Sequence, residues 1–88
     1  MCRNIRTLFH FDPPASEEEI RASALQFVRK LSGFNKPSRA NEAAFERAVD
    51  EVSDAASRLL ASLTASGPAR DRETEAAKAR ARAKERFA

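Results

Sequence analysis

No tryptophan, no tyrosine, one cysteine and one histidine occur among the 88 residues. The lone cysteine rules out an intramolecular disulfide framework and leaves nothing to argue for an oxidising compartment. The lone histidine, His10, deprives the chain of the Glu-x-x-His pairs from facing helices that build carboxylate-bridged metal sites. No Ser, Cys or carboxylate is placed by sequence as its catalytic partner, so His10 reads as a polar residue in a short connection. No apolar run approaches the roughly 18 residues needed to cross a bilayer, and the first residues lack the apolar core of a signal peptide. The expected location is the cytoplasm. Seventeen Val, Ile, Leu and Phe residues suffice for one small core but not for a large internal pocket, which argues against a conventional enzyme. No catalytic residue, metal site or cofactor is expected.

What is present is helical. Asp12-Pro13-Pro14-Ala15 cannot sit inside a helix, and Ser16 with Glu19 three residues on forms a capping box. Glu17, Glu18 and Glu19 put negative charge where the helix dipole is positive. Ile20, Ala24, Phe27, Val28 and Leu31 then recur at spacings of three and four, the stripe of a helix with one buried face. Gly33 stops it, and Phe34 can fold back on the last turn. After the turn Asn35-Lys36-Pro37-Ser38, with Ser38 or Asn41 available as cap, a second stripe runs through Phe45, Val49, Val52, Ala56, Leu59, Leu60 and Leu63. The two helices, 16–32 and 38–63, are expected to pair antiparallel, with Phe27, Leu31, Phe45, Val49, Val52 and Leu59 in one core.

Thr64-Ala65-Ser66-Gly67-Pro68 reads as a second break within a linker over 64–70. A third helix over 71–87 is rich in alanine, arginine and lysine. Its apolar face is thin, and of Ala76, Ala79, Ala83 and Phe87 only the phenylalanine offers much surface to bury. At the other end, Ile5, Leu8 and Phe9 fit a short helical turn, whereas alternation through Phe9 and Phe11 fits an extended piece; the turn is the preferred reading. The expected fold is therefore all-α: one domain over 1–88, a small helical bundle built on an antiparallel hairpin, with a short N-terminal segment and a basic C-terminal helix.

Charge is more unevenly distributed than the net +3 suggests. Residues 1–69 carry nine cations and nine acids, whereas 70–88 carry seven cations and four acids. From Ile20 to Asn41 there are five cations and no acid. Glu42, Glu46, Asp50 and Asp54 form an i, i+4 carboxylate row, and like charges at that spacing repel by roughly 0.2–0.5 kcal/mol per pair. The row is read either as a solvated face or as the dock for the basic third helix. A metal site there lacks the ligands it would need.

Cys2 invites a chemical reading. If Met1 is removed, a free amine lies beside a thiol, a bidentate metal ligand and a nucleophile, and Arg3 and Arg6 favour the thiolate. The simpler reading is a small apolar residue tucked under the bundle by Ile5 and Leu8.

Several segments carry a resemblance: Met1-Cys2-Arg3-Asn4-Ile5-Arg6-Thr7-Leu8-Phe9, the Asp12-Pro13-Pro14-Ala15 turn, Phe27-Val28-Arg29-Lys30-Leu31-Ser32-Gly33-Phe34 with Lys36-Pro37-Ser38, and Ala76-Ala77-Lys78-Ala79-Arg80-Ala81. Together they look like the bacterial domain-of-unknown-function family numbered 2277. The resemblance covers nearly the whole chain and implies no activity. A weaker likeness is to a J-domain co-chaperone, through Pro-x-Ala-Ser-Glu-Glu-Glu-Ile and the helix, basic turn, longer helix order. The turn Gly33-Phe34-Asn35-Lys36-Pro37-Ser38 lacks the His-Pro-Asp motif of that family, so the likeness extends to the hairpin and not to stimulation of a chaperone ATPase.

Two function classes follow. One is a non-enzymatic interaction module that binds an acidic partner, protein or nucleic acid, through Arg29, Lys30, Lys36 and Arg39 at the turn and Lys78, Arg80, Arg82, Lys84 and Arg86 at the C-terminus. With no helix-turn-helix signature, zinc knuckle or aromatic platform, any nucleic-acid contact would be directed at the backbone. The alternative is thiol or metal chemistry at Cys2. An oligomer is compatible with either, and a membrane partner with neither.

Overall fold

The computed structural model describes the backbone of residues 5–87 and the side chains of residues 5–85. In chain order it comprises a two-residue strand β1 (Phe11–Asp12), helix α1 (Glu17–Ser32), a 3-10 turn (Arg39–Asn41), helix α2 (Glu42–Ser62), a two-residue strand β2 (Arg70–Asp71) and helix α3 (Arg72–Phe87). The fold is mainly helical, with α1 and α2 as its packed pair.

Local chemistry accounts for the bounds of α1. Ser16 lies in an extended conformation and its hydroxyl accepts from the Glu19 amide at 3.1 Å, while the Glu19 carboxylate accepts from the Ser16 amide at 3.0 Å. The capping box is therefore closed in both directions. At the other end Gly33 adopts φ 79°, a left-handed conformation that costs glycine little, and its amide donates to the Arg29 carbonyl at 2.9 Å. The start of α2 differs from the expectation. Neither Ser38 nor Asn41 caps with its side chain. Instead the Asn41 amide donates to the Ser38 carbonyl at 2.9 Å, and the Asn41 side chain donates to the Ser38 hydroxyl at 2.8 Å, so the 3-10 turn itself leads into the helix.

α1 and α2 run antiparallel around a narrow seam. Ile20, Ala24, Val28, Phe45 and Val49 are buried, and Leu25, Ala48 and Val52 pack partly against the cluster that Ala24, Val28, Phe45 and Val49 form. The expected core is corrected in three places: Phe27 is 43 % exposed, Leu31 72 % and Leu59 57 %. The reason is geometric. An amphipathic stripe wider than about 100° serves a bundle in which a helix meets two neighbours. Here each helix of the pair meets one, and the outer flank of the stripe stays in solvent.

The preferred helical turn at the N-terminus is also corrected. Residues 5–8 form no helix, Phe9 and His10 form a turn, and Phe11–Asp12 is a strand. It pairs in parallel with β2, Phe11 opposite Arg70 and Asp12 opposite Asp71, and the Arg70 amide donates to the His10 carbonyl at 2.7 Å. Leu8, Phe9 and Phe11 then close the open end of the hairpin, sharing a depression of about 390 Å³ with Ile20 and Leu60. α3 leaves this junction with its own cap, Asp71 Oδ2 accepting from the Thr74 amide at 2.8 Å and from its hydroxyl at 2.7 Å. Those two bonds, the hydroxyl's the larger effect, hold the Asp71 carboxyl below its ordinary range.

A candidate interaction surface

A dense polar cluster lies where α1, β1 and α3 meet. Arg72, the first residue of α3, forks onto Glu19 with Nη1 to Oε2 and Nη2 to Oε1, both at 3.0 Å, and its Nε donates to the Pro13 carbonyl at 2.8 Å. Arg6 adds a contact to Glu19 Oε2 at 3.1 Å. Each carboxylate oxygen of Glu19 thus accepts two bonds, one of them the capping bond from Ser16, which fills the roughly four lone-pair sites a carboxylate offers. The Phe11 ring lies under both guanidinium groups, with Arg70 Cζ 5.4 Å and Arg72 Cζ 5.6 Å from its centroid. His10 stands beside it at φ 64°, its Nε2 donating to the Gly67 carbonyl at 3.0 Å.

This node borders a cleft of about 430 Å³ lined by Leu8, Phe11, Ala76 and Ala79. A carboxylate with a perturbed pKa in a cleft is a catalytic candidate in general. The direction of the shift decides otherwise here. The Arg72 hydrogen bonds first, then the Ser16 amide, bring Glu19 from 4.5 down to about 2. Such a group is a poor proton acceptor near neutrality, and its lone pairs are already taken. Its work is to anchor α3. Among the described residues no group of three His, Cys, Asp or Glu side chains is placed to hold a metal.

The basic residues singled out in the sequence fall into two separated groups. At the hairpin turn Lys30, Lys36 and Arg39 are exposed, while Arg29 is half-buried and donates through Nε to the Asn35 carbonyl at 3.0 Å. On α3, Lys78, Arg80, Arg82 and Lys84 are exposed. Lys78 lies 3.8 Å from Glu75 and Arg80 3.9 Å from Glu73, and no acidic partner faces Arg82 or Lys84 among the described residues. The Arg86 side chain and Cys2 lie outside the described residues, as does the Phe87 side chain. The two groups do not meet within one chain. α3 is fastened at the start of α1 and the turn lies at its end, some 16 residues away, or roughly 24 Å at 1.5 Å per residue.

Docking of α3 on the acidic row of α2 is corrected. Asp50 pairs with Arg21 of α1 at 2.7 Å, and among the described residues the ion pairs of α3 are to Glu19 and within itself. Arg72 makes the difference, because it fastens the start of α3 to Glu19 at the start of α1 and to the Pro13 carbonyl. Phe11, Arg70 and Arg72 were not singled out in the sequence as a functional group. Only Glu19 carried a local signal, as the far member of the capping box.

A second opening lies on the hairpin itself. Phe27, Leu31 and Phe34 on one side and Ala44, Ala48 and Val52 on the other border an apolar groove of about 340 Å³. Among the described residues no helix is long and apolar enough to cross a membrane. No curated protein and no solved structure matches the chain. A match over residues 1–78 places the chain in the family described as "Uncharacterized conserved protein (DUF2277)", and it belongs to that family.

Proposed function

We propose that the chain is a cytoplasmic, non-enzymatic interaction module that binds an acidic partner through its basic residues, with α3 as the binding arm and a nucleic-acid backbone as the partner. The observation that supports this reading is that α3 is fastened by polar contacts at its first turn, through Arg72. Arg72 and Asp71 consume the hydrogen-bonding capacity of that turn, and the cations beyond it face solvent. The alanines between them are short and leave the guanidinium and ammonium groups free to reach successive phosphates. Binding of this kind is driven by release of counterions and carries little sequence preference.

Titration of a labelled DNA duplex at rising salt tests the reading. With four or five phosphate contacts, affinity falls on the order of 100-fold between 50 and 200 mM salt. The full-length double variant Arg82→Gln/Lys84→Gln loses about two units of the logarithmic salt slope, close to one per cation removed. Equal affinity and slope in the variant and the wild type, or no binding at low salt, would remove α3 as a nucleic-acid arm.

A further inference from the structure

We propose that the depression at the open end of the α1–α2 hairpin is a binding site for a small, uncharged, largely apolar molecule that carries a hydroxyl group, an alcohol or a phenol. This goes beyond the binding of an acidic partner and does not depend on it, because none of the basic residues assigned that role lines the depression.

The walls select for apolar bulk and against charge. Leu8, Phe9 and Phe11 of the N-terminal segment, Ile20 of α1 and Leu60 of α2 enclose about 390 Å³, within the range of small-molecule sites. No Asp, Glu, Lys or Arg lines the space, so a charged guest would give up its hydration and gain no countercharge. The polar residues on the wall are His10 and Ser57. A few polar groups among apolar ones are what orient a bound molecule.

This end of the hairpin holds hydrogen-bonding capacity that the chain does not use. His10 Nε2 donates to the Gly67 carbonyl at 3.0 Å. A carbonyl only accepts, so the neutral ring keeps its proton on Nε2 and presents Nδ1 as an acceptor. Among the described residues nothing donates to Nδ1. Ser57 stands one turn after Ser53 on the same face of α2, and Ser53 Oγ is buried with no hydrogen-bond partner among the described residues. Buried hydroxyls nearly always find a partner, and each exception calls for an explanation. A hydroxyl is the smallest neutral group that donates and accepts at one atom, here to an imidazole nitrogen and from a serine.

His10 is also held in a constrained place. Its φ of 64° lies in the left-handed region, which side chains enter at a cost. The Gly67 carbonyl fixes its ring, which lies against Phe9 with centroids 5.5 Å apart. Strained residues of this kind gather at ligand sites, where a polar group already in position binds without reordering.

Phenol and toluene test the proposal, since they share an outline and differ by a hydroxyl in place of a methyl group. In the full chain the methyl resonances of Leu8, Ile20 and Leu60 are expected to shift saturably with phenol, at a half-saturation of about 1 mM, the affinity of a small fragment in a formed site. Toluene, although the more hydrophobic, binds about tenfold more weakly, the size of one hydrogen bond left unmade. Ser57→Ala brings phenol to the level of toluene and leaves toluene unchanged. Ala61→Phe, at the exposed edge of the depression, weakens both ligands and keeps the helical circular dichroism. Four results overturn the proposal: no saturable shift with phenol up to about 10 mM, shifts that gather at Phe27 and Leu31 instead, toluene bound as tightly as phenol, or either variant binding phenol as the wild type does.

Discussion

Glu19 closes the capping box of α1 and holds α3 with the same carboxylate. The four hydrogen bonds come from three residues on separate stretches of chain, Arg6, Ser16 and Arg72. Because its folded-state pKa lies at about 2, below the ordinary 4.5, its contribution is complete above the ordinary value and is lost as pH falls through about 2. The attachment of α3, followed by the backbone amide shifts of residues 72–80, is therefore expected to persist well into the range where free carboxylates protonate. Glu19→Gln separates the two tasks. Glutamine at this position still completes a capping box, so α1 keeps its start, but the charge that holds Arg72 is gone. In this variant the shifts of residues 72–80 already match the detached state at neutral pH and keep only the acid transition that protonation of Asp71, the cap of Thr74, produces. Identical acid profiles in variant and wild type would show that another group holds the helix.

The elements differ in what secures them, and that decides how legible each was in the sequence. α1 is announced by residues within four positions of its ends, Ser16 with Glu19 and Gly33 with Arg29, and such local devices can be read from spacing alone. Its buried face was only partly readable. Ile20, Ala24 and Val28 share a stripe with Phe27 and Leu31, and periodicity does not say how much of a stripe one neighbouring helix will cover. β1 and β2 are two residues each and have no alternation to detect; their pairing joins positions 59 residues apart. Arg72 and Glu19 are 53 residues apart and carry no pattern that links them. Among the candidate binding residues, position on α3 was legible from composition, whereas the direction α3 takes was not, because it rests on that one distant contact. α3 is expected to exchange its amide hydrogens faster than α1 and α2, since past its first turn it covers little apolar surface. Asp71→Ala, which removes both bonds to Thr74, should speed exchange at residues 73–77 while the amides around Val28 and Val49 keep their protection. Uniform acceleration through all three helices would mean that α3 and the hairpin unfold as one unit.

At the scale of the molecule, stability is concentrated in a small seam. Phe45 is its largest buried side chain, and Phe45→Ala is expected to cost about 3–5 kcal/mol, a large part of the 5–15 kcal/mol typical of a whole domain. Chemical denaturation at a fixed chain concentration measures this, and an unchanged midpoint would show that the seam is held elsewhere. The parallel pairing of β1 with β2 adds a property of another kind, a mechanical one. Tension applied at the two ends of the chain draws β1 backward and β2 forward along a common axis, so the Phe11–Asp12 and Arg70–Asp71 contacts and the Arg72 grip on Pro13 are loaded together, in shear. The hairpin lies inside the loop that these contacts close and carries none of that load while they hold. A pull on α3 is thus borne by a short clasp at the base of the molecule, and the α1–α2 seam is shielded from it.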